Sequence, residues 1–315
     1  MKRILLHLIL ALLPTLAFSQ QDVIFSQFMF KKAVINPGYV GTSGHPHFTF
    51  IHRQQWVGLE GSPITQAFSF ETPLFAERVG VGISLINDNI GYFNSSLVNM
   101  QYAYRIDTEY GGLGLGLQGT LKRFYANWDA SRTIHDGDPI LGEDAEVTPI
   151  FNVGFGAYFE AKRWYLGVSV PYFLKKGLRE QNQGLLSDIS GGESPHYYLV
   201  GGLLFDLSRN VKLRPAWLVK FVKNAPLNSD LNLSLGLKDK LWFGVTYRWG
   251  TSFVPGGGGA IDFLVNYQIS QRLRAGMAYD YALSELAQTN GGTYEIMLEY
   301  SIIRDGKGVR NPRFF

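Results

Sequence analysis

Between Ala260 and Leu283 the chain alternates apolar and polar residues, breaks once, and alternates again. Ile261, Phe263, Val265, Tyr267 and Ile269 share one parity, while Asp262, Asn266, Gln268 and Ser270 share the other. Past the polar turn Ser270-Gln271-Arg272, Leu273, Ala275, Met277, Tyr279 and Tyr281 stand against Arg274, Gly276 and Asp280. Period-two alternation predicts strands with one apolar face, and the tight polar turn predicts a hairpin. About ten residues a strand is roughly twice the usual 5–6. It is the length that crosses a bilayer as a tilted strand.

The same pattern recurs in fourteen segments, at 46–55, 63–72, 78–88, 95–107, 111–125, 149–160, 163–172, 195–208, 211–221, 229–238, 241–249, 259–270, 272–283 and 292–303. Leu231, Leu233, Leu235 and Leu237, for example, oppose Asn232, Ser234, Gly236 and Lys238. Connections after even-numbered segments are short, such as Ala161-Lys162, Arg209-Asn210 and Asp239-Lys240. Those after odd-numbered ones are mostly longer, including 56–62, 89–94, 126–148, 173–194 and 250–258. Short periplasmic turns alternating with long outer loops are the habit of outer-membrane barrels, and an even strand count lets both chain ends lie on one side. The expected fold is therefore all-β: a transmembrane antiparallel up-and-down β-barrel of about fourteen strands. Closure is required, because an open edge in lipid leaves N–H and C=O groups without partners. The apolar parity is expected to face lipid, with aromatics near strand ends (Trp164, Tyr165, Trp242, Tyr247, Trp249, Tyr279, Tyr281, Tyr294, Tyr300) as interfacial girdles. Asp262, Asn266, Gln268, Arg274, Asp280, Glu295 and Glu299 are the expected lumen-facing set.

Ahead of the strands, Lys2-Arg3, the apolar run Ile4–Leu13 and Ala17-Phe18-Ser19 read as a secretory signal peptide over 1–19. Residues 20–45 follow as a segment that plugs the lumen or caps the periplasmic mouth, 46–303 form the barrel, and 304–315 a periplasmic tail. Past the leader no apolar run reaches the roughly 18 residues of a spanning helix. Composition agrees with a barrel: 14% aromatic, 36 glycines and only 17% charged residues, the last against an ordinary ~25%. The 29 basic side chains include Lys2 and Arg3, which leaves 27 against 26 acidic ones, so charge gives no reason to expect a nucleic-acid partner. With no cysteine, disulfides, thiolate metal sites and cysteine nucleophiles are excluded.

Candidate chemistry is sparse. The glycines of Gly111–Gly116 keep strand parity and no helix pattern follows, so they read as room for something inside the barrel rather than a phosphate loop. His45, His47 and His52 split between two parities without a carboxylate or cysteine spaced to complete a metal site. The acidic stretch Asp136-Gly137-Asp138 to Glu143-Asp144 and Glu146 matches no calcium-loop spacing and reads as a solvated loop. Ser194 and His196 share a parity but lack a third orienting group for nucleophilic catalysis. No catalytic residue, metal or cofactor is expected.

Three N-terminal stretches resemble one family: Gln21-Asp22 through Phe25-Ser26-Gln27-Phe28-Met29-Phe30 with Asn36-Pro37-Gly38-Tyr39-Val40-Gly41; His52-Arg53-Gln54-Gln55-Trp56-Val57-Gly58 with Gly61-Ser62-Pro63 and Thr65-Gln66; and Val79-Gly80-Val81-Gly82 with Asn87-Asp88 and Gly91. The tail, Glu295-Ile296-Met297-Leu298 and Asn311-Pro312-Arg313-Phe314-Phe315, is similar to how such chains end. The family is PorP/SprF, outer-membrane proteins of the type IX secretion and gliding system of Bacteroidetes. Gly38 stands where it often has Ala, and Phe314 where it often has Tyr. The resemblance marks Asn36, Pro37, Arg53, Gln54, Trp56 and Gly58 as motif residues. It implies an outer-membrane protein, embedded in lipid, that helps export or anchor secreted surface proteins bearing a C-terminal sorting domain, adhesins among them, or that contacts other secretion-system subunits. The residues by themselves leave a porin-like or hydrophobic-solute channel open as the alternative.

Overall fold

The computed structural model describes residues 25–126, 145–174, 195–223, 227–250, 259–283 and 289–303. The leader, the acidic stretch through Asp144, Ser194 and the tail lie outside them. Two short 3₁₀ turns, Lys32–Val34 and Pro37–Tyr39, precede the strands. These are β1 His47–Gln54, β2 Ile64–Leu74, β3 Val79–Ile90, β4 Phe93–Thr108, β5 Gly111–Ala126, β6 Ala145–Glu160 and β7 Trp164–Val170. β8 comprises His196–Leu203 and Phe205–Ser208, both paired with the next strand and interrupted only at Leu204. β9 Val211–Val222, β10 Asn228–Leu237, β11 Leu241–Gly250, β12 Ala260–Gln268, β13 Leu273–Ala282 and β14 Thr293–Ser301 complete the sheet.

Every strand pairs antiparallel with its sequence neighbours, and β14 pairs with β1 from His47↔Ser301 to Gln54↔Tyr294. The sheet is thus a closed barrel of fourteen strands among the described residues. Among them no helix is long and apolar enough to cross a membrane; the strands do the crossing. Burial alternates along them as the sequence alternates. Phe50, Leu85, Leu117, Leu233, Phe263 and Ile296 project outward from strands spread around the barrel, while Thr49, Ser84, Gln118, Ser234, Asp262 and Glu295 are buried. An apolar exterior over a polar interior is the inverse of a water-soluble protein, and it fits a barrel solvated by hydrocarbon.

Three details depart from the sequence reading. The connection expected over 89–94 is only Gly91-Tyr92, because β3 and β4 run on to Ile90 and Phe93. Asn94 donates across this hairpin to Asn87 and Asn89, and Ser96 to Asn87, so polar side chains sustain the ladder there. Tyr165 and Trp242 are not girdle residues, since both point inward and are buried. Trp164 takes the outward position beside Tyr165, as adjacent strand residues must alternate. Trp242 keeps the parity of the buried Gly244 and Thr246. Finally, β7 is short. After Val170 the chain bends: Pro171 is buried and Tyr172 packs on the interior apolar cluster, while Phe173 stays outward with its ring against Phe155, its N–H donating to Val153 O at 2.8 Å and that of Leu174 to Asn152 Oδ1 at 2.9 Å.

The lumen glycines are where the wall meets the N-terminal segment. A Cβ on Gly116 would overlap the backbone of Pro37 and Gly38, and one on Gly114 the Gly38 carbonyl. On Gly119 it would meet only the edge of the Phe151 ring, at 3.8 Å. Gly116→Ala is expected to lower unfolding stability by about 1–3 kcal/mol, the usual cost of overpacking. Gly119→Ala should stay within about 1 kcal/mol of the parent. Urea titration read by heat-modifiable gel mobility checks the contrast, and equal effects would contradict the contact.

Candidate functional site inside the barrel

Residues Phe25–Gly44 fill the space the glycines leave. Apolar side chains supply part of the hold: Phe28, Met29, Ala33, Ile35, Tyr39 and Val40 pack with Tyr158, Tyr165, Val200, Leu218 and Leu264 of the wall. Phe25 packs with Ile51, Ala67, Ile86, Leu97 and Met297 on the other side. Tyr39 and Tyr158 meet edge to face with centroids 5.2 Å apart, a favoured aromatic geometry.

A segment this irregular has few partners of its own, so the wall provides them. Gln101 Nε2 donates to Ala33 O at 2.7 Å and Ser169 Oγ to Ile35 O at 2.7 Å. Asn36 is the joint. Its Oδ1 accepts from Gly38 N–H at 2.9 Å, capping the turn that Pro37 starts. Its Nδ2 donates to Ala157 O at 2.9 Å and Val168 O at 3.2 Å, tying the segment to β6 and β7 together. At the start of the segment, Ser26 and Gln27 N–H groups donate to the two Glu295 oxygens at 2.9 and 3.1 Å.

Cations complete the hold. Lys32 is fully buried, donates to Met29 O at 2.7 Å, and lies 4.8 Å from each of the Tyr39 and Tyr165 ring centroids. Burial, with Arg214 nearby, pushes its pKa well below the ordinary lysine value. Arg214 sits between the Phe30 and Trp242 rings, 4.5 and 4.7 Å from their centroids. Lys31 and His47 both face Glu71, at 3.9 and 3.6 Å. Among the described residues no group of histidines and carboxylates is arranged to hold a metal ion. His45 and His47 are neighbours with ring centroids 6.0 Å apart, while His52 takes the other face of β1.

A buried ion network runs round one arc, toward the end of the barrel where the longer connections lie. Arg53 and Glu295 are direct cross-strand partners, bonded at 3.1 Å, and Arg53 also reaches Asp280 at 3.2 Å. Asp262 and Asp280 are directly opposite, a pairing that repels on its own. Arg248 offsets it, contacting Asp280 at 2.8 Å, Asp262 at 3.0 Å and Asp230 at 3.3 Å. Lys220 extends the chain to Asp230 at 3.0 Å. At the opposite end, beside the turn after β12, Arg274 faces Glu299 at 3.8 Å and its guanidinium lies 5.3 Å from the Phe30 ring centroid.

The predicted residues therefore fall into separate places. Asp262, Asn266, Arg274, Asp280, Glu295 and Glu299 are buried. Gln268 is only half-buried at the strand end, where Nε2 donates to Ser270 O and Leu273 O and Oε1 accepts from Arg274. Asn36 and Pro37 meet β5, β6 and β7 at one side of the lumen, and Arg53 meets Ser26, at the other end of the same segment. Gln54, Trp56 and Gly58 instead shape the exit from β1, where Trp56 N–H donates to Thr293 Oγ1 and Val57 exchanges backbone bonds with Gly291 and Gly292. Sequence reasoning did not single out Asp230, Lys220, Glu71, Lys32 or Arg214. For Asp230 and Arg248 a signal existed: both stand on the polar parity of adjoining strands and are register partners.

A closed, apolar-faced, internally plugged barrel of this kind is an outer-membrane β-barrel protein. One solved structure supports the fold. The chain is similar to the CymD monoaromatic hydrocarbon channel (TM-score 0.50, 11% identity, 88% of this chain and 91% of that one). It is also similar to the Ralstonia pickettii toluene transporter TbuX (0.48, 9%, 88% and 93%), and to Acinetobacter baumannii Omp33 (0.48, 8%, 83% and 100%). No curated protein matches it in sequence. The model of the type IX secretion system membrane protein PorP/SprF matches residues 17–300, and the chain belongs to that family.

Breaking one side of the Arg53–Glu295 pair should cost about 3–5 kcal/mol, because it strands the other charge in the interior. Glu295→Gln should also raise amide exchange at Ser26 and Gln27, whose acceptor loses its charge, whereas Arg53→Met should not strip those acceptors. Hydrogen-exchange mass spectrometry separates the two.

Proposed function

We propose that this chain is a non-enzymatic outer-membrane component of the type IX secretion system that assists export or surface anchoring of particular secreted proteins through protein–protein contacts. Its partners would be secreted proteins carrying a C-terminal sorting domain, such as adhesins, or other subunits of the machinery. What supports this reading, beyond family membership, is that the chain's own N-terminal segment fills the lumen. A barrel occupied in this way offers loops and surfaces rather than a water-filled path. In this reading residues 1–19 are removed on export, the short turns face the periplasm, and the longer connections face outward. The connections between β5 and β6 and between β7 and β8, within the stretches 126–148 and 173–194 that the sequence marks, then carry the partner contacts. Asn36, Pro37 and Arg53 hold the plug, and Gln54, Trp56 and Gly58 set the mouth beside it.

Deleting the gene is expected to leave at least one sorting-domain protein trapped in the periplasm or shed from the surface. The purified chain should pass little steady current in planar bilayers, and removing residues 25–41 should raise its conductance severalfold. Normal secretion in the deletion strain, together with steady solute-selective conductance of the intact protein, would replace this reading with the channel alternative.

A further inference from the structure

The short turns at one end of the barrel differ in charge from one arc of the rim to the other. Those after β6, β8, β10 and β12 follow one another round the sheet. Among the described residues they expose Lys162 and Arg163, Arg209, Lys238 and Lys240, and Arg272, against Asp206 and Asp239. The two turns before them, after β2 and β4, carry Glu77, Asp107 and Glu109 against Arg78. The whole chain has 29 basic and 26 acidic side chains, so it is placement, and not composition, that gathers positive charge on one arc.

The arc is built to present that charge. Lys240 N–H donates to Leu237 O at 3.1 Å, with Lys238 and Asp239 at φ 51° and 57°. This is the tight turn whose twist matches the strands it joins, and it holds both lysines at the tip of a fixed hairpin. Trp164 points outward beside Arg163, at the level where aromatics meet lipid headgroups, so the basic turns stand just beyond the apolar belt. The two carboxylates leave the excess in place. Asp206 is met by Arg163 at 2.8 Å, and Asp239 by Lys212 at 2.8 Å, itself a further half-buried cation.

We propose that this arc docks the acidic face of a periplasmic protein, an inference that rests on the reading in which the short turns face the periplasm. Complementary charge defines the partner's chemistry. Phospholipid is the weaker match, because it surrounds the rim on every side whereas the positive charge occupies one arc. The chain's own tail has the wrong sign, since past Ile303 it carries Arg304, Lys307, Arg310 and Arg313 against Asp305. Exposed charges act over roughly 8–10 Å at physiological ionic strength. The arc therefore steers and orients a broad acidic surface rather than gripping one group in a pocket.

The chain has no cysteine, so one introduced thiol carries a probe uniquely. Cells producing the full-length protein with Asn210→Cys, Gln271→Cys or Glu109→Cys are treated with a membrane-permeant maleimide-benzophenone and irradiated, and adducts are identified by peptide mass spectrometry. Asn210→Cys and Gln271→Cys, both exposed within the arc, should give the same periplasmic protein, crosslinked within a stretch of net negative charge. Glu109→Cys, on the acidic side, should give at least tenfold less of it. Adding Arg209→Glu, Lys238→Glu and Lys240→Glu to Gln271→Cys should lower the yield at least tenfold, while Lys238→Arg with Lys240→Arg should keep it within twofold. Heat-modifiable mobility verifies folding, and Lys162→Glu with Arg209→Glu replaces the triple reversal if that fails to fold. No adduct, phospholipid alone, a second copy of this chain, a partner met outside acidic sequence, or equal yields on both sides of the rim would overturn the docking arc. Secretion of sorting-domain proteins separates the two ideas: a defect in the deletion strain without an adduct overturns the arc alone, and normal secretion there overturns the wider reading.

Discussion

The contact on which the rest of this molecule depends is backbone against backbone. The backbone of Pro37 and Gly38 lies directly on Gly114 and Gly116, and beside it the Asn36 side chain lies on Gly156 and Gly167, where the wall has no side chain to hold it off. A barrel of fourteen strands encloses more space than its own side chains fill, and something must occupy it or water will. Here the occupant belongs to the same chain. Only glycine on β5, β6 and β7 lets it approach closely enough for the Asn36 amide to reach strand carbonyls. The plug and the wall are therefore one packing unit.

Opposite that apolar contact the interior is charged, and the same economy of partners applies. Along this arc the ions answer one another: Arg53 serves Glu295 and Asp280, and Arg248 serves three aspartates. Such networks are weak evidence of net stability, since desolvation offsets much of the attraction. Their contribution here is to position. Glu295 orients the backbone of Ser26 and Gln27 while its charge is met by Arg53, so the start of the plug is fixed by the strand pair that closes the barrel. Closure and plugging are thereby coupled through one carboxylate.

Much of this was legible from the order of residues. In a barrel every strand must place one parity in hydrocarbon and the other inside, so alternation marks strands one by one, and β12 and β13 fall within two residues of their expected bounds. The parity of Gly112, Gly114 and Gly116 announced an interior occupant. Legibility failed where composition is ambiguous. An aromatic near a strand end suits an interfacial girdle, but Tyr165 and Trp242 occupy inward positions, and only the register of their neighbours fixes that. The stretch 89–94 reads as a loop, yet all but Gly91-Tyr92 is strand, because Asn94 bonds across the hairpin to Asn87 and Asn89.

Strand count, most strand faces, closed topology and family were all readable in the order of residues, since each follows from local periodicity or motif and from lipid's refusal of unpaired backbone. Which residues meet across the lumen emerges only from the folded barrel. Arg248 with Asp230, Asp262 and Asp280, Lys32 between two tyrosines, and Asn36 on two strands at once join positions far apart in sequence. Strand alternation says that the charged strand residues point inward, but not which residue each meets there, and it is silent on Lys32 and Asn36, which precede the strands. That pairing depends on register, on the path of an irregular segment, and on where glycines let the wall come close.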